Sequence, residues 1–209
     1  MKTAFLTFDD AVISHLSVAA PLLKEFGFGA TFFICEWPGD SVYQLSWAQV
    51  RELEKMGFEI GNHTAAHSFM PETPAEKAEA DIVSLEQKMA DCGLAQPVSF
   101  AYPGGAETCE CREILARRGY KVARTIREAA VRPGLDDPLS TGSFVIKEGN
   151  DNFNKAMAAL TDDTPVVLTW HGVPEFLHLN VQTSIHTFIA QLKYLKEHDI
   201  VCRSLRDIV

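Results

Sequence analysis

Residues 4–35 read AFLTFDDAVISHLSVAAPLLKEFGFGATFFIC. The stretch opens with an apolar run of strand length, Ala4 to Phe8. It continues through Ile13 to Phe26, where Leu16, Ala19, Ala20, Leu23 and Phe26 recur at helical spacing. Gly27 stands where a helix closes in the left-handed C′ position, and a second apolar run, Ala30 to Cys35, follows. Strand, helix and strand over so short a length make a βα unit with parallel strands. The rest of the chain repeats the alternation. Further strands are expected at Phe58 to Gly61, Val98 to Ala101, Lys121 to Arg124, Ser143 to Lys147, Val166 to Trp170 and Ile200 to Cys202. Eight strand segments in βα order predict an α/β fold that closes as a barrel or a distorted barrel.

Helix boundaries are signalled by side chains. Ser46 and Gln49 form a capping-box pattern for a helix ending at Gly57, and Thr73-Pro74-Ala75-Glu76 repeats the device for a helix from Pro74 to about Asp91. Glu107 to Arg118 stops at Gly119, and Thr183 to Glu197 is the last long helix. Ile126 to Gly142, with two prolines, two glycines and the pair Asp136 and Asp137, has no period and is expected to form a loop over one face. No repeat or linker divides the chain, so residues 1–209 are expected to form one domain.

Composition narrows the function classes. Hydrophobic residues at 46% and charged residues at 22% describe an ordinary globule. Acidic side chains outnumber basic ones 28 to 19, a field that repels nucleic acid and anionic membranes. No apolar run approaches the roughly 20 residues of a spanning helix. Met1 to Phe8 lacks the features of a secretory signal, so a cytoplasmic location is expected. The five cysteines (Cys35, Cys92, Cys109, Cys111 and Cys202) are odd in number and scattered, as expected of reduced, buried thiols.

In a βα fold the loops after the strands gather on one face, where such folds keep their sites. Asp9 and Asp10 follow the first strand, and Asn62, His63 and His67 follow the third. Tyr102-Pro103-Gly104-Gly105 follows the fourth, and His171 follows Val166 to Trp170. Spacing His63 and His67 four apart on a helical turn would set both imidazoles on one face, suited to a shared divalent metal. Taken alone, the pair also reads as surface or capping histidines. Asp9 and Asp10 would repel each other unless a cation or a shared proton relieved them, or would otherwise serve as an N-cap and first-turn acid for the next helix.

In order and spacing, Thr7-Phe8-Asp9-Asp10, His63-Thr64-Ala65-Ala66-His67, Tyr102-Pro103-Gly104-Gly105 and Leu168-Thr169-Trp170-His171 resemble motifs of the NodB-homology polysaccharide deacetylases, carbohydrate esterase family 4. The resemblance runs from Thr7 to His171 and implies a distorted (β/α) barrel. It further implies a metal-dependent hydrolase that removes acetyl groups from N-acetylated or O-acetylated sugars. Asp10, His63 and His67 would be the metal ligands, usually for zinc, with Asp9 as general base and His171 as general acid. The backbone N–H of Gly104 would help to stabilise the oxyanion. Independently of the resemblance, Tyr102, Trp170, Trp37 and Phe176 read equally as platforms for a sugar ring and as core packing. Two positions depart from the family pattern. Its third motif often begins with an arginine that pairs with the base, and here that position is Ala101. The base would therefore have a raised pKa unless Arg124, Arg127 or Arg132 reached it. The fourth motif, which supports the acid histidine, has no clear counterpart, with Asp136 and Asp137 the nearest substitutes. Alternative readings are a hydrolase of another amide or imide, a silent carbohydrate-binding barrel and an iron enzyme with a facial triad.

Overall fold

The computed structural model describes residues 1–36, 42–175 and 178–209, so Trp37 and Phe176 lie outside the described residues. The first strand, β1 (Thr3–Phe8), is followed by a π-helical turn at His15–Ala19 that runs into α1 (Ala20–Phe26) and stops at left-handed Gly27. Next come β2 (Thr31–Ile34), α2 (Trp47–Lys55), β3 (Glu59–Asn62), α3 (Ala75–Asp91) and β4 (Ser99–Ala101). The chain continues with α4 (Cys109–Arg118), β5 (Val122–Arg124), β6 (Phe144–Val145), α5 (Asp151–Ala159), β7 (Val166–Trp170), α6 (Ile185–Glu197) and β8 (Val201–Arg203). The expected α/β order holds. Helix α5 was not expected; it is short and opens on polar Asp151-Asn152, and it buries Phe153 and Ala156 at helical spacing.

Among the described residues the strands form one parallel sheet in the order β5-β4-β3-β2-β1-β7-β6, with β8 beside β1. β1 is the hub. It pairs with β7 along its length, with β2 only at Thr7 and Phe8, and with β8 only at Thr3 to Phe5. β8 therefore wedges β1 and β2 apart at the lower end, which distorts the barrel. The edges β5 and β6 meet through the segment leading into β6. Thr125 donates to the Thr141 carbonyl at 2.8 Å and Thr141 donates to that of Ala123 at 2.9 Å. Within the 126–142 segment Val131 and residues 140–142 are buried at this junction, whereas residues 126–128 and 132–135 are exposed. The Val131 N–H reaches the Pro165 carbonyl at 2.8 Å, and its side chain packs inside the barrel.

Strand pleating sorts the side chains into two sets. Ala4, Leu6, Phe8, Phe32, Ile34, Leu168 and Trp170 face outward onto the helices, packing with Leu23, Phe188 and Leu192. Phe5, Phe33, Val122 and Val167 face inward with Leu205, which plugs the lower end. Ser46 makes the expected capping box with Gln49. Thr73 does not cap α3, because its hydroxyl donates back to the Phe69 carbonyl at 2.8 Å and Pro74 occupies the cap. The cysteines are free, but Cys109 is exposed rather than buried. No helix among the described residues is long and apolar enough to cross a membrane.

The lower layer of the barrel holds a buried carboxylate, Glu59, which accepts from the Thr31 and Ser99 hydroxyls and from the Arg206 backbone N–H. It ties three strands to the plug. Replacing Glu59 with alanine strands these donors in a dry interior, and we expect a loss of about 3 kcal/mol. Urea unfolding should show this as a lower midpoint at an unchanged slope.

Candidate active site

Inward-facing strand positions, extended one step past the strand ends, deliver the polar residues to the barrel mouth. Thr7 and Thr169 share a hydrogen bond at 2.9 Å inside the barrel, and two residues further on stand Asp9 and His171. Gly61 faces inward against the Phe33 ring, and two residues on stands His63. Arg124 ends β5 in the same inward set and lies over the Phe33 ring at 5.3 Å.

Asp10 would by this rule point outward. Its φ of 76°, followed by 51° at Ala11, turns the backbone so that both adjacent carboxylates serve the mouth. Left-handed backbone at a non-glycine residue costs about 1–2 kcal/mol, and such strain gathers at functional sites.

His63 and His67 are not on a helix, contrary to the spacing argument. They flank a loop with left-handed Thr64 (φ 60°) and His67 (φ 51°). Asn62 Oδ1 holds the Thr64 N–H at 2.7 Å, and Asp81 Oδ1 holds the Ala66 N–H at 2.8 Å. This folding brings the two rings to 4.8 Å, edge to face. His63 Nδ1 lies 2.7 Å from the Ala101 carbonyl, which can only accept, so this nitrogen carries the hydrogen and Nε2 presents its lone pair.

The Nε2 atoms of His63 and His67 each stand 3.5 Å from Asp10 Oδ1. One ligand atom from each of the three residues falls within a 4.8 Å cluster. Ligands bound tetrahedrally at about 2.1 Å stand about 3.4 Å apart, so the spacing suits a divalent cation. Burial alone would raise the Asp10 carboxyl, but the His63 hydrogen bond and the charges of His171, His63 and His67 hold it well below the usual range. Burial lowers His67 to about 4, aided by the neighbouring His63. Burial also works against a proton on His63, but the Asp10 and Asp9 carboxylates outweigh it and raise that imidazole. The pair shares one carboxylate and divides unequally because two adjacent imidazolium ions would repel.

Arg124 supplies the cation missing from position 101. Ala101 and Arg124 are register partners on adjacent strands, so the guanidinium enters at the same level from one strand over. It is fully buried and paired with Asp9. Burial would raise the Asp9 carboxyl, but Arg124 first, then His63 and His171, bring it below its ordinary value. Arg127 instead serves the Ser140 carbonyl at 2.6 Å, and Arg132 pairs with Asp136. Asp137 binds the Leu139 N–H at 2.9 Å. Neither Asp136 nor Asp137 supports His171, whose Nε2 lies 3.9 Å from Asp10 Oδ2 and whose buried Nδ1 has no hydrogen-bond partner among the described residues.

Asp9, Asp10, His63, His67, Arg124 and His171 line a cavity of about 250 Å³, with Ile126, Val145 and Val181 among its other lining residues, together with His178 and Asn180. Gly104 and Gly105 border it in left-handed conformations. A Cβ on Gly104 would approach the Phe69 ring to 3.1 Å. For two of the aromatic candidates the structure favours packing over a sugar platform. Trp170 is fully buried in the outward set, stacked on Phe8 and donating to Gln191 at 3.0 Å, so it presents no face to a ligand. Tyr102 borders the cavity but has no exposed surface, and its hydroxyl donates to the Leu139 carbonyl at 2.8 Å. The lining residues Ile126, Val145, Asn180 and Val181 carry no sequence signal, because each is an ordinary loop or strand-end residue until the barrel closes.

The polysaccharide deacetylase family model matches residues 1–123. That stretch contains Asp9, Asp10, His63, His67 and Gly104, and it ends just before Arg124. The chain is 32% identical over 177 residues to a peptidoglycan-N-acetylglucosamine deacetylase of Bacillus cereus, covering 78% of this chain and 81% of that protein. It is 23% identical over 129 residues to YxkH of Bacillus subtilis, which carries a polysaccharide deacetylase name. That match covers 62% of this chain but only 46% of the relative, so the chain spans less than half its length. In fold it is similar to a family 4 acetyl xylan esterase from Clostridium thermocellum solved with a cobalt ion. The TM-score is 0.70 at 17% identity, over 99% of this chain and 90% of that one.

Because Arg124 lowers the Asp9 pKa, its removal must raise it. In Arg124→Met the acid limb of any rate profile that needs ionised Asp9 should move to higher pH, because the charge that favours the carboxylate is gone. Arg127→Met and Arg132→Met should leave that limb in place. Profiles of kcat/KM between pH 4 and 8 make the comparison.

Proposed function

The chain belongs to the polysaccharide deacetylase family, and on that premise we propose that it hydrolyses acetyl groups from N-acetylated or O-acetylated sugars in the cavity at the barrel mouth. The observation that carries this reading is a buried carboxylate, Asp9, kept ionised by Arg124 beside a three-ligand cluster, with His171 also bordering the cavity.

Asp10, His63 and His67 would hold one divalent cation. Two imidazoles and a carboxylate are borderline donors, which favour zinc among the common ions. Bound there, the cation would polarise the acyl carbonyl and lower the pKa of water. The remaining work belongs to the chain. Asp9 takes the proton of the attacking water on its carboxylate, and Arg124 keeps that carboxylate free to accept it. His171 gives a proton to the departing nitrogen or oxygen. The Gly104 N–H donates to the acyl oxygen as negative charge builds on it. Ile126, Val145 and Val181 offer apolar surface to the methyl group and to the sugar's C–H face. The Bacillus cereus relative is named for N-acetylglucosamine in peptidoglycan, so N-acetylglucosamine oligomers are the first substrates to try.

Metal analysis of purified protein, alongside acetate release from a panel of N-acetylated and O-acetylated sugars, tests the assignment. We expect about one divalent ion per chain. Asp9→Asn should keep the ion and lose about 10²–10⁴-fold in rate, the usual share of a general base. His63→Ala should lose the ion. Metal bound by His63→Ala as tightly as by wild type would show that the ligand assignment is wrong.

A further inference from the structure

His171 sits just beyond the end of β7 with its far ring nitrogen buried and unpartnered among the described residues. Histidines that move protons or bind metals are ordinarily oriented by an acceptor on that second nitrogen, as Ala101 does for His63. Among the described residues no such acceptor fixes His171. Its backbone is held instead. His15 Nε2 lies 2.9 Å from the His171 carbonyl, Glu175 Oε2 accepts the Gly172 N–H at 2.9 Å, and Ser14 Oγ accepts the Val173 N–H at 2.9 Å. The three gripping side chains are themselves buried, at 0% exposure for His15, 1% for Ser14 and 2% for Glu175.

We propose that Ser14, His15 and Glu175 are positioning residues that aim His171 into the cavity by clamping three consecutive backbone groups, in place of a carboxylate on its ring. The inference rests on the reading of His171 as the proton donor.

The local structure is built for this grip. Ser14 and His15 begin the π-helical turn just after the Asp9-Asp10 corner, and such turns are frequent at functional sites. The His15 ring is wedged between Phe8 and Phe32, at centroid distances of 5.6 and 5.4 Å, so it cannot swing away. Burial holds its pKa down to about 4, which keeps the ring neutral, and the carbonyl partner selects the tautomer with hydrogen on Nε2. On the other side the turn is closed tightly. A Cβ at Gly172 would meet the Glu175 Cα at 2.5 Å and Glu175 Oε2 at 2.8 Å. With the 171 carbonyl, the 172 N–H and the 173 N–H all fixed, the peptide planes leaving His171 cannot rotate, and the direction of its Cα–Cβ bond is set without any contact to the ring.

A proton donor matters for an amine or sugar leaving group and not for 4-nitrophenolate, which departs as a stable anion. That difference separates positioning of His171 from general loosening. In zinc-loaded protein, His15→Phe keeps a ring in the slot and removes the donor, while His15→Gln restores an N–H near the same place. We expect His15→Phe to lower kcat for acetate release from N-acetylglucosamine oligomers by about 10–100-fold, with KM, metal content and 4-nitrophenyl acetate hydrolysis unchanged. His15→Gln should recover most of the loss. Equal losses on sugar and nitrophenyl ester would overturn the proposal. Ring carbon–proton correlations in histidine-labelled protein give a readout independent of turnover. The His171 signals should shift and broaden in His15→Phe while those of His63 and His67 stay, and an unmoved His171 would also overturn the clamp. Wild-type protein that released acetate from no sugar would count against the proposed function, and the ring signals would still decide the clamp.

Discussion

Two carboxylates, Asp9 and Asp10, lie buried side by side at the end of the central strand, and the mouth of the barrel is organised around their charge. An unpaired charge in such a place costs several kcal/mol, so each needs a positive or proton-bearing neighbour. Asp9 has Arg124 from β5, and Asp10 has the imidazoles of His63 and His67 from the loop after β3. None of these partners is near in sequence, so the carboxylates are compensated only when the sheet is assembled. Arg124 also ends the edge strand that meets Thr141 to close the barrel. Closure of the sheet and compensation of Asp9 thereby depend on the same residue.

The pleat of the strands explains which residues arrive without effort and which need strain. Asp9, His63, Arg124 and His171 fall on inward positions or their continuation. Asp10 and His67 do not, and both are brought in by left-handed backbone. The strained histidine loop is held from outside the barrel by α3, through Asp81, and by Asn62, whose amide donates to the Tyr120 hydroxyl at 2.8 Å and to the Ile82 carbonyl at 3.1 Å. The helices around the barrel thus do more than cover its apolar face: one of them fixes the angle between two metal-ligating rings.

The two kinds of histidine in the site are oriented by opposite means. His63 is fixed through its ring, by a carbonyl on Nδ1, as suits a ligand whose lone pair must point at one place. His171 is fixed through its backbone. The cavity they share is lined by Asp9, Asp10 and Arg124 as well as by Ile126, Val145 and Val181, so a small acyl group on a polar ring could satisfy both kinds of surface.

By itself the sequence determined the α/β order and most helix ends, because apolar period and capping residues are local, and it singled out candidate site residues, because the loops after parallel strands gather on one face. Asp9, Asp10, His63, His67 and His171 could be picked out in this way, and the structure brings all five to one cavity. The tertiary structure alone decided which arginine serves Asp9, since the register that sets Arg124 beside Ala101 is a property of strand pairing and leaves no trace in spacing along the chain. It likewise decided that Trp170 and Tyr102 are packing residues, because whether a strand-end aromatic faces helix or cavity depends on how the pleat meets its neighbours. The grip of Ser14 and His15 on the 171–173 backbone stayed hidden because hydrogen bonds to main-chain atoms place no demand on the residue types they hold.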